Sequence, residues 1–359
     1  MQKIRFFDFE ISKEERKSVL GVLERRWLRQ GPEVEKFEKK ICKLTGSKYA
    51  VATSSCTGAL HLSLLALGIK GKVLVPSLTF PATCNAVVNS GNIPVFVDID
   101  PRIYTIDPEE IEKIARKDKD IKAIMPVHIF GMPAEMDRIK EIAETYDLRI
   151  IEDCAQAFGA KYKKRSVGMW GDVGCFSFDT VKPFTSGEGG CVITNNEEVA
   201  EKVRAMKDHG RIKNRFVFFG LNYKPTDLQI SLLNAQLKSF DKVMRRRKEL
   251  FNQYSRLITK EGIEKPFIPK HVEHAYVYYT LKLPVNAEDV KNELMKRGIE
   301  TKTYPPVHME PAYAKYRKRL PVTEEVCEKL LSPPLFTMIG EDEIKYVVEN
   351  LESAVEKLL

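Results

Sequence analysis

Chemistry in this chain centres on Lys182. It lies in the segment Phe176-Ser177-Phe178-Asp179-Thr180-Val181-Lys182-Pro183-Phe184-Thr185-Ser186-Gly187-Glu188-Gly189-Gly190, between an apolar, aromatic-flanked stretch and a small-residue loop. A lysine in a partly desolvated pocket can give up its proton and attack a carbonyl carbon to form a Schiff base. Upstream, Ile150-Ile151-Glu152-Asp153 runs an apolar strand into an acidic pair, followed by Cys154-Ala155-Gln156. A buried carboxylate there suits a protonated pyridine nitrogen, the group on which an electron-sink cofactor depends. Taken singly, each residue has a plainer reading. Lys182 would be a solvated lysine, Asp153 a helix cap, and Gln156 a turn residue.

A third segment is Ala52-Thr53-Ser54-Ser55-Cys56-Thr57-Gly58-Ala59-Leu60, small hydroxyl residues ahead of a helical run. Free N–H groups at such a helix start, together with the helix dipole, favour a phosphate. Thr57 adds a hydroxyl, and an ordinary Ser/Thr cap has the same appearance. Ser177 alternates with Phe176 and Phe178 along a strand and therefore faces away from both. It serves equally as a phosphate contact or as a satisfied core serine.

These groups must be positioned by the elements around them. Short apolar runs predict strands at 72–76, 94–99, 121–127, 149–152 and 174–178, with helices at 82–89 and 136–146. Continuous apolar strands alternating with helices indicate a mainly parallel sheet covered on both faces. In such α/β sheets ligands bind beyond the carboxyl ends of strands. Asp153, Gln156 and Lys182 all fall there, so they are expected to share one crevice. A charged helix from about 241 to 257 is expected to bridge to a smaller α+β unit, with a strand at 276–283 and helices at 287–297 and 342–358. The expected division is a large domain over residues 1–240 and a small C-terminal domain over 241–359.

The composition fits this plan. The 359 residues are 43% hydrophobic and 30% charged, enough for a sizeable core under a solvated surface. Apolar runs stay short of membrane-spanning length, and the first residues lack a secretory pattern, so the expected location is the cytoplasm, with no membrane partner. Seven scattered cysteines without CxxC pairs argue against a disulfide framework or a structural zinc site, and no metal is expected. The net charge of +8 gathers at Lys161–Arg165, Arg245–Lys248 and Lys315–Arg319. Solvated faces are the plain reading, attraction of an anionic small substrate a second, and nucleic-acid binding a third. No separate nucleic-acid module is visible, and no nucleic-acid partner is expected.

Taken together, the chain resembles the DegT/DnrJ/StrS sugar aminotransferases, pyridoxal-phosphate enzymes of fold type I. The resemblance runs from Trp27-Leu28-Arg29-Gln30-Gly31-Pro32 through Pro76-Ser77-Leu78-Thr79-Phe80, Ala82 to Ala86, Asp98-Ile99-Asp100 and Pro126 to Gly131. It continues through Glu152 to Ala160, Phe176 to Gly190 and Gly220 to Lys224, and ends at Tyr304-Pro305-Pro306-Val307-His308. It implies that Lys182 bonds to pyridoxal 5'-phosphate and moves the reacting proton, with pyridoxamine phosphate as the aminated form. Asp153 then pairs with the pyridine nitrogen, and Gln156 lies near the ring hydroxyl. Phe80 and Ala155 cover opposite ring faces. Cys56 and Thr57 lend the backbone that binds phosphate, and Ser177 joins them. Asn222 reaches the phosphate from the neighbouring subunit, which makes the protein a homodimer with shared sites. Glu188 and His308 fall where such enzymes contact substrate. The implied reaction moves an amino group from an amino acid, expected to be L-glutamate, to a keto group of a nucleotide-linked sugar.

Two departures stand out. The phosphate loop reads Cys56-Thr57-Gly58-Ala59, where many members carry Gly-Thr followed by two alanines, and Lys224 replaces an arginine that could make a forked contact. Lys182 itself favours transamination over the sugar dehydratases of the family, which carry histidine at that position. A ketocyclitol acceptor, a dehydratase outcome and a non-catalytic regulatory relative are the alternatives.

Overall fold

The computed structural model describes residues 3–359. Its centre is a seven-stranded sheet of β1 (Tyr49–Thr53), β2 (Lys72–Pro76), β3 (Ile93–Val97), β4 (Ile121–Ile124), β5 (Arg149–Asp153), β6 (Val173–Ser177) and β7 (Gly190–Thr194). The spatial order is β1-β7-β6-β5-β4-β2-β3. β7 runs antiparallel to both neighbours, while the β6-β5-β4-β2-β3 pairs are parallel. The expected mainly parallel α/β sheet is therefore present, with β7 as its one reversal.

Alternate residues of each strand enter opposite layers, as a period of two requires. Val51, Val75, Ile151, Val173, Cys175 and Val192 join one core with Leu60 and Leu62 of α3 (Cys56–Ala66), Val87 of α4 (Pro81–Asn89) and Val203 of α7 (Glu197–Met206). Ala50, Ala52, Phe176, Cys191 and Ile193 join the other, against Phe37 and Ile41 of α2 (Pro32–Thr45) and Leu233 of α8 (Asp227–Gln236). That second face is extended by α5 (Pro108–Lys117) and α6 (Met136–Tyr146), which meet Leu74, Ile124 and Ile150. Preceding them in the chain, α1 (Lys13–Arg25) packs against α8. Helices thus cover both faces, so β6 and β7 are buried along their whole length.

The charged helix α9 (Phe240–Leu257) contacts two of the cores. Phe240 stacks on Phe184 in the large unit, while Leu250, Phe251 and Tyr254 enter the core of the small one. That core also holds α10 (Ala287–Lys296), α12 (Glu341–Leu358) and a sheet of β8 (Leu281–Lys282), β9 (Lys302–Thr303) and β10 (Leu330–Ser332), with α11 (Pro321–Lys329) leading into β10.

Three expectations are corrected. Ile4, counted with residues 1–240, pairs with Ile299 and is buried in the small unit's core. Only the end of the expected strand 276–283 is paired. The carbonyls of Tyr276 and Val277 accept from Arg247 instead, and Ala275 and Tyr278 donate to the turn at Phe130–Gly131. Arg247, read as part of a solvated basic face, is 2% exposed. Burial lowers its pKa to about 10. All seven cysteines are unpaired, and six are buried as small core residues. Among the described residues no helix is long and apolar enough to cross a membrane.

Candidate active site

Residues at the carboxyl ends of β5 and β6 build the site, together with the N-terminus of α3. Asp153 closes β5 and is 3% exposed. Its Oδ2 accepts from the Thr83 hydroxyl at 2.8 Å and its Oδ1 from the Ala155 N–H at 3.0 Å. Burial pushes the carboxyl above its ordinary range, and those two bonds and the charge of Lys182 pull it back in part. The positive charge of Lys182 reaches Asp153, and the charges of both are felt at the buried Cys56, while Lys182 itself lines a cavity with Phe184, Gln236 and Arg247.

The Lys182 loop is held by its own short side chains. Thr185 and Ser186 bind back to the Phe178 carbonyl, Thr180 donates to Gly187, and the Lys182 N–H donates to Asp179. Gln236 of α8 anchors the loop from outside through Thr185 N–H at 2.8 Å. The small-residue tail has a steric cause. A Cβ on Gly190 would stand 2.3 Å from the carbonyl carbon of Ser55 and 2.5 Å from Cys56 N. Glycine lets β7 lie directly against the turn that opens α3.

At that turn Ser55 caps α3 by accepting from Gly58 N–H at 3.1 Å. The N–H groups of Cys56 and Thr57 keep no acceptor among the described residues, and the Thr57 side chain is exposed. Ser177 Oγ, at the end of β6, meets only Asp179 N–H at 3.4 Å. Two free backbone donors at a helix start, beside two hydroxyls, fit a phosphate dianion. The Cys56 thiol turns inward to the Cys175 carbonyl. Gly58, the departure from the usual loop, has a neighbour that explains it: a Cβ there would sit 3.2 Å from the Tyr223 ring.

Gln156 is buried, and its Oε1 accepts from Phe130 N–H at 2.9 Å, leaving its amide N–H groups for a ligand. Phe130 holds a left-handed φ of 60°, a costly conformation for a side chain of this size. Phe80 caps the start of α4 and is 65% exposed, and it shares a cavity of about 200 Å³ with Gln156. Ala155 is half-buried beside Asp153.

The three remaining candidates, Asn222, Glu188 and His308, differ in their surroundings. Asn222 is exposed and its side chain makes no hydrogen bond among the described residues, although the adjacent Tyr223 carbonyl accepts from Ser54 N–H at 2.8 Å. Glu188 is exposed, with its carboxylate unpaired among the described residues. His308 is fully buried, its Nδ1 paired with Ser77 Oγ at 2.6 Å and its Nε2 with Glu324 at 3.1 Å. Both ring nitrogens are thus spent on packing the small unit against β2, and the expected substrate contact from His308 is corrected to that role. Lys224, in place of the forked arginine, pairs with Asp208, which Arg211 also holds.

Sequence reading missed two supports. Thr79 bonds Thr83 at 2.6 Å, so a pair of hydroxyls stands behind Asp153. Their i, i+4 spacing at the start of a helix was the available signal. Glu152 takes N–H bonds from Gly168, Trp170 and Gly171 and from the ring of His128. His128 Nδ1 accepts from Ala134 N–H, so its proton sits on Nε2. Glu152, His128 and Cys154 cluster within reach of one another, but both Glu152 oxygens are already used. Strand alternation sends Glu152 away from the crevice and Asp153 into it.

Free N–H groups at a helix start, a buried carboxylate and a lysine within its electrostatic reach fit pyridoxal phosphate, and the fold is that of the pyridoxal-phosphate-dependent aminotransferases. More narrowly, the chain belongs to the DegT/DnrJ/EryC1/StrS aminotransferase family, whose sequence pattern matches residues 10–352. It is 34% identical to GDP-perosamine synthase of Escherichia coli O157:H7, over 98% of both chains. The crystal structure of S. venezuelae DesV with a ketimine intermediate superposes with a TM-score of 0.93, at 31% identity over 99% of both chains. A sugar aminotransferase described as putative, Spr1654 of Streptococcus pneumoniae, has been solved in PMP and PLP forms, at 25% identity. The PMP form gives a TM-score of 0.95 over 99% of this chain and 98% of that one, and the PLP form 0.94 over 100% of both.

Proposed function

We propose that this enzyme moves an amino group from an amino acid, L-glutamate, to the keto group of a nucleotide-linked sugar, within amino-sugar or polysaccharide biosynthesis. The observation that carries the reading is the buried Asp153 at the end of β5, fixed by Thr83 and Ala155 and within electrostatic reach of Lys182. When bound, pyridoxal phosphate supplies the electron sink that lets an amino group leave one carbon and join another. The protein's own part is positioning and electrostatics. The N–H groups of Cys56 and Thr57, with the Thr57 and Ser177 hydroxyls, hold the phosphate. Asp153 keeps a proton on the ring nitrogen, and Thr83 and Ala155 fix the direction of its carboxylate. Gln156 offers its amide N–H groups to the ring hydroxyl, while Phe80 and Ala155 limit the ring's movement. Lys182 would hold the cofactor through Nζ and, as a free amine, would carry the proton between the substrate's amino-bearing carbon and the cofactor. Glu188 is an acceptor contact.

The reading includes a cytoplasmic homodimer, in which Asn222 of the partner subunit completes the phosphate site. Its supports are the free Asn222 side chain and the apolar exposure around it. Phe216 is 73% exposed, Phe219 is fully exposed, and Leu20, Leu23, Trp27 and Leu28 are uncovered near the start of the chain. The relative from E. coli is named a synthase of GDP-perosamine, which supports a nucleotide-linked acceptor.

The direct test is borohydride reduction of the cofactor-loaded enzyme followed by peptide mapping. The label is expected on Lys182, and its absence there sinks the reading. Stoichiometric 2-oxoglutarate release with a keto-sugar nucleotide identifies the donor, whereas product without it would indicate dehydration.

A further inference from the structure

The cavity shared by Phe80 and Gln156 has a third wall, the segment carrying Lys302 and Tyr304. Lys302 is half-buried, and among the described residues no carboxylate lies within 4.0 Å of it. Glu310, on the same wall, is outside that range. Two aromatic rings hold the ammonium instead, with Nζ 5.3 Å from the centre of Tyr278 and 5.5 Å from that of Tyr304. The wall is fixed: Tyr304 donates to Ser332 Oγ at 2.8 Å, Ser332 is bonded to Thr280, and Tyr304 packs on Phe130. Phe130 is the residue whose N–H orients Gln156.

Aromatic faces steady a cation without neutralising it. A lysine steadied in this way on the wall of a cavity keeps its full charge for a ligand. We propose that Lys302 anchors the anionic arm of the substrate, an oxyanion reaching from the reacting carbon along this cavity. The assignment rests on the reading that Phe80 and Gln156 border the cofactor. Two sources share that chemistry: the distal carboxylate of the amino donor and the diphosphate of the acceptor. An enzyme that handles both substrates in turn presents the same cation to each.

The test uses cofactor-loaded enzyme and two probes, glutarate for the carboxylate and GDP for the diphosphate. Their affinities are compared in wild type, Lys302→Met and Lys302→Arg. Met keeps the stem and removes the charge, and should weaken at least one probe by about tenfold, the value of one charge-assisted bond. Arg should retain most of the affinity, and added salt should weaken the probe in wild type but not in Lys302→Met. Weakened glutarate alone assigns the donor carboxylate, weakened GDP alone the acceptor diphosphate, and weakening of both assigns the two together. Affinities within about twofold for both probes would overturn the proposal. Loss of cofactor absorbance in Lys302→Met would overturn it as well, because the lysine would then support the cofactor. The borohydride label separates the two readings. Unchanged probe binding with Lys182 labelled removes the role of Lys302 alone, whereas an unlabelled Lys182 in wild type removes the site on which it rests.

Discussion

At the scale of single residues the site turns on a buried carboxylate. The Asp153 pKa lies above its ordinary value of 3.8, with burial as the main cause. The folded chain then binds this proton more tightly than the unfolded chain does. Between 3.8 and the raised folded value, rising pH therefore takes stability away from the cofactor-free enzyme. Thr83 opposes the shift, since its hydroxyl favours the charged form. Thr83→Val should raise the Asp153 pKa further and move the acid limb of cofactor binding to higher pH. Cofactor affinity at neutral pH should fall by about tenfold. Thr83→Ser should restore both readouts, and an unshifted acid limb in Thr83→Val would refute the role. Asp153 was legible because an acidic pair closes an apolar strand. Thr83 was not, since nothing local says that a threonine 70 positions away points at that carboxylate.

At the scale of elements the decisive contact is β7 against the start of α3. The sequence marks Gly187 to Gly190 as a turn-prone tail but does not say what approaches it. In the fold, Gly190 meets the backbone of Ser55 and Cys56, so Gly190→Ala must displace that turn, the proposed phosphate site. The expected cost is about 1–3 kcal/mol in thermal or denaturant unfolding, with a larger loss of cofactor affinity in absorbance titrations. A variant with unchanged cofactor affinity would show that the cradle is not held there. α9 carries a second lesson. Its basic run reads as one solvated face, yet Arg247 turns inward and gives three bonds to carbonyls of residues 276, 277 and 335. Those acceptors lie in irregular backbone, to which a helical pattern gives no pointer.

At the scale of the whole molecule the question is where one site ends. Asn222 faces outward, so a shared site requires a second subunit. Mixing Lys182→Ala and Asn222→Ala proteins, each inactive or weak alone, should then restore activity. Only the mixed dimers carry one intact site of two, and they make up half of a random mixture, so the plateau is roughly a quarter of the wild-type rate. Failure to complement after verified subunit exchange would place Asn222 in its own chain's site or outside the chemistry. The exposed Phe216, Val217 and Phe219 belong to the same question, since a surface this apolar is expected to be covered in solution.

The sequence by itself determined the alternation of apolar strands and helices, and with it the mainly parallel sheet, and it marked Lys182 and Asp153 as the candidate residues. Those features are written in local periodicity and in residue types that few other roles explain. Only the tertiary structure decided which neighbours those residues have. It turned His308 inward, spent Arg247 on carbonyls, returned Ile4 to the C-terminal unit, and set Thr83 behind Asp153 and Lys302 between two tyrosines. Each of these is a long-range juxtaposition fixed by packing and by the need to satisfy buried polar groups. No short window of sequence records such a contact, because its partner lies tens to hundreds of residues away.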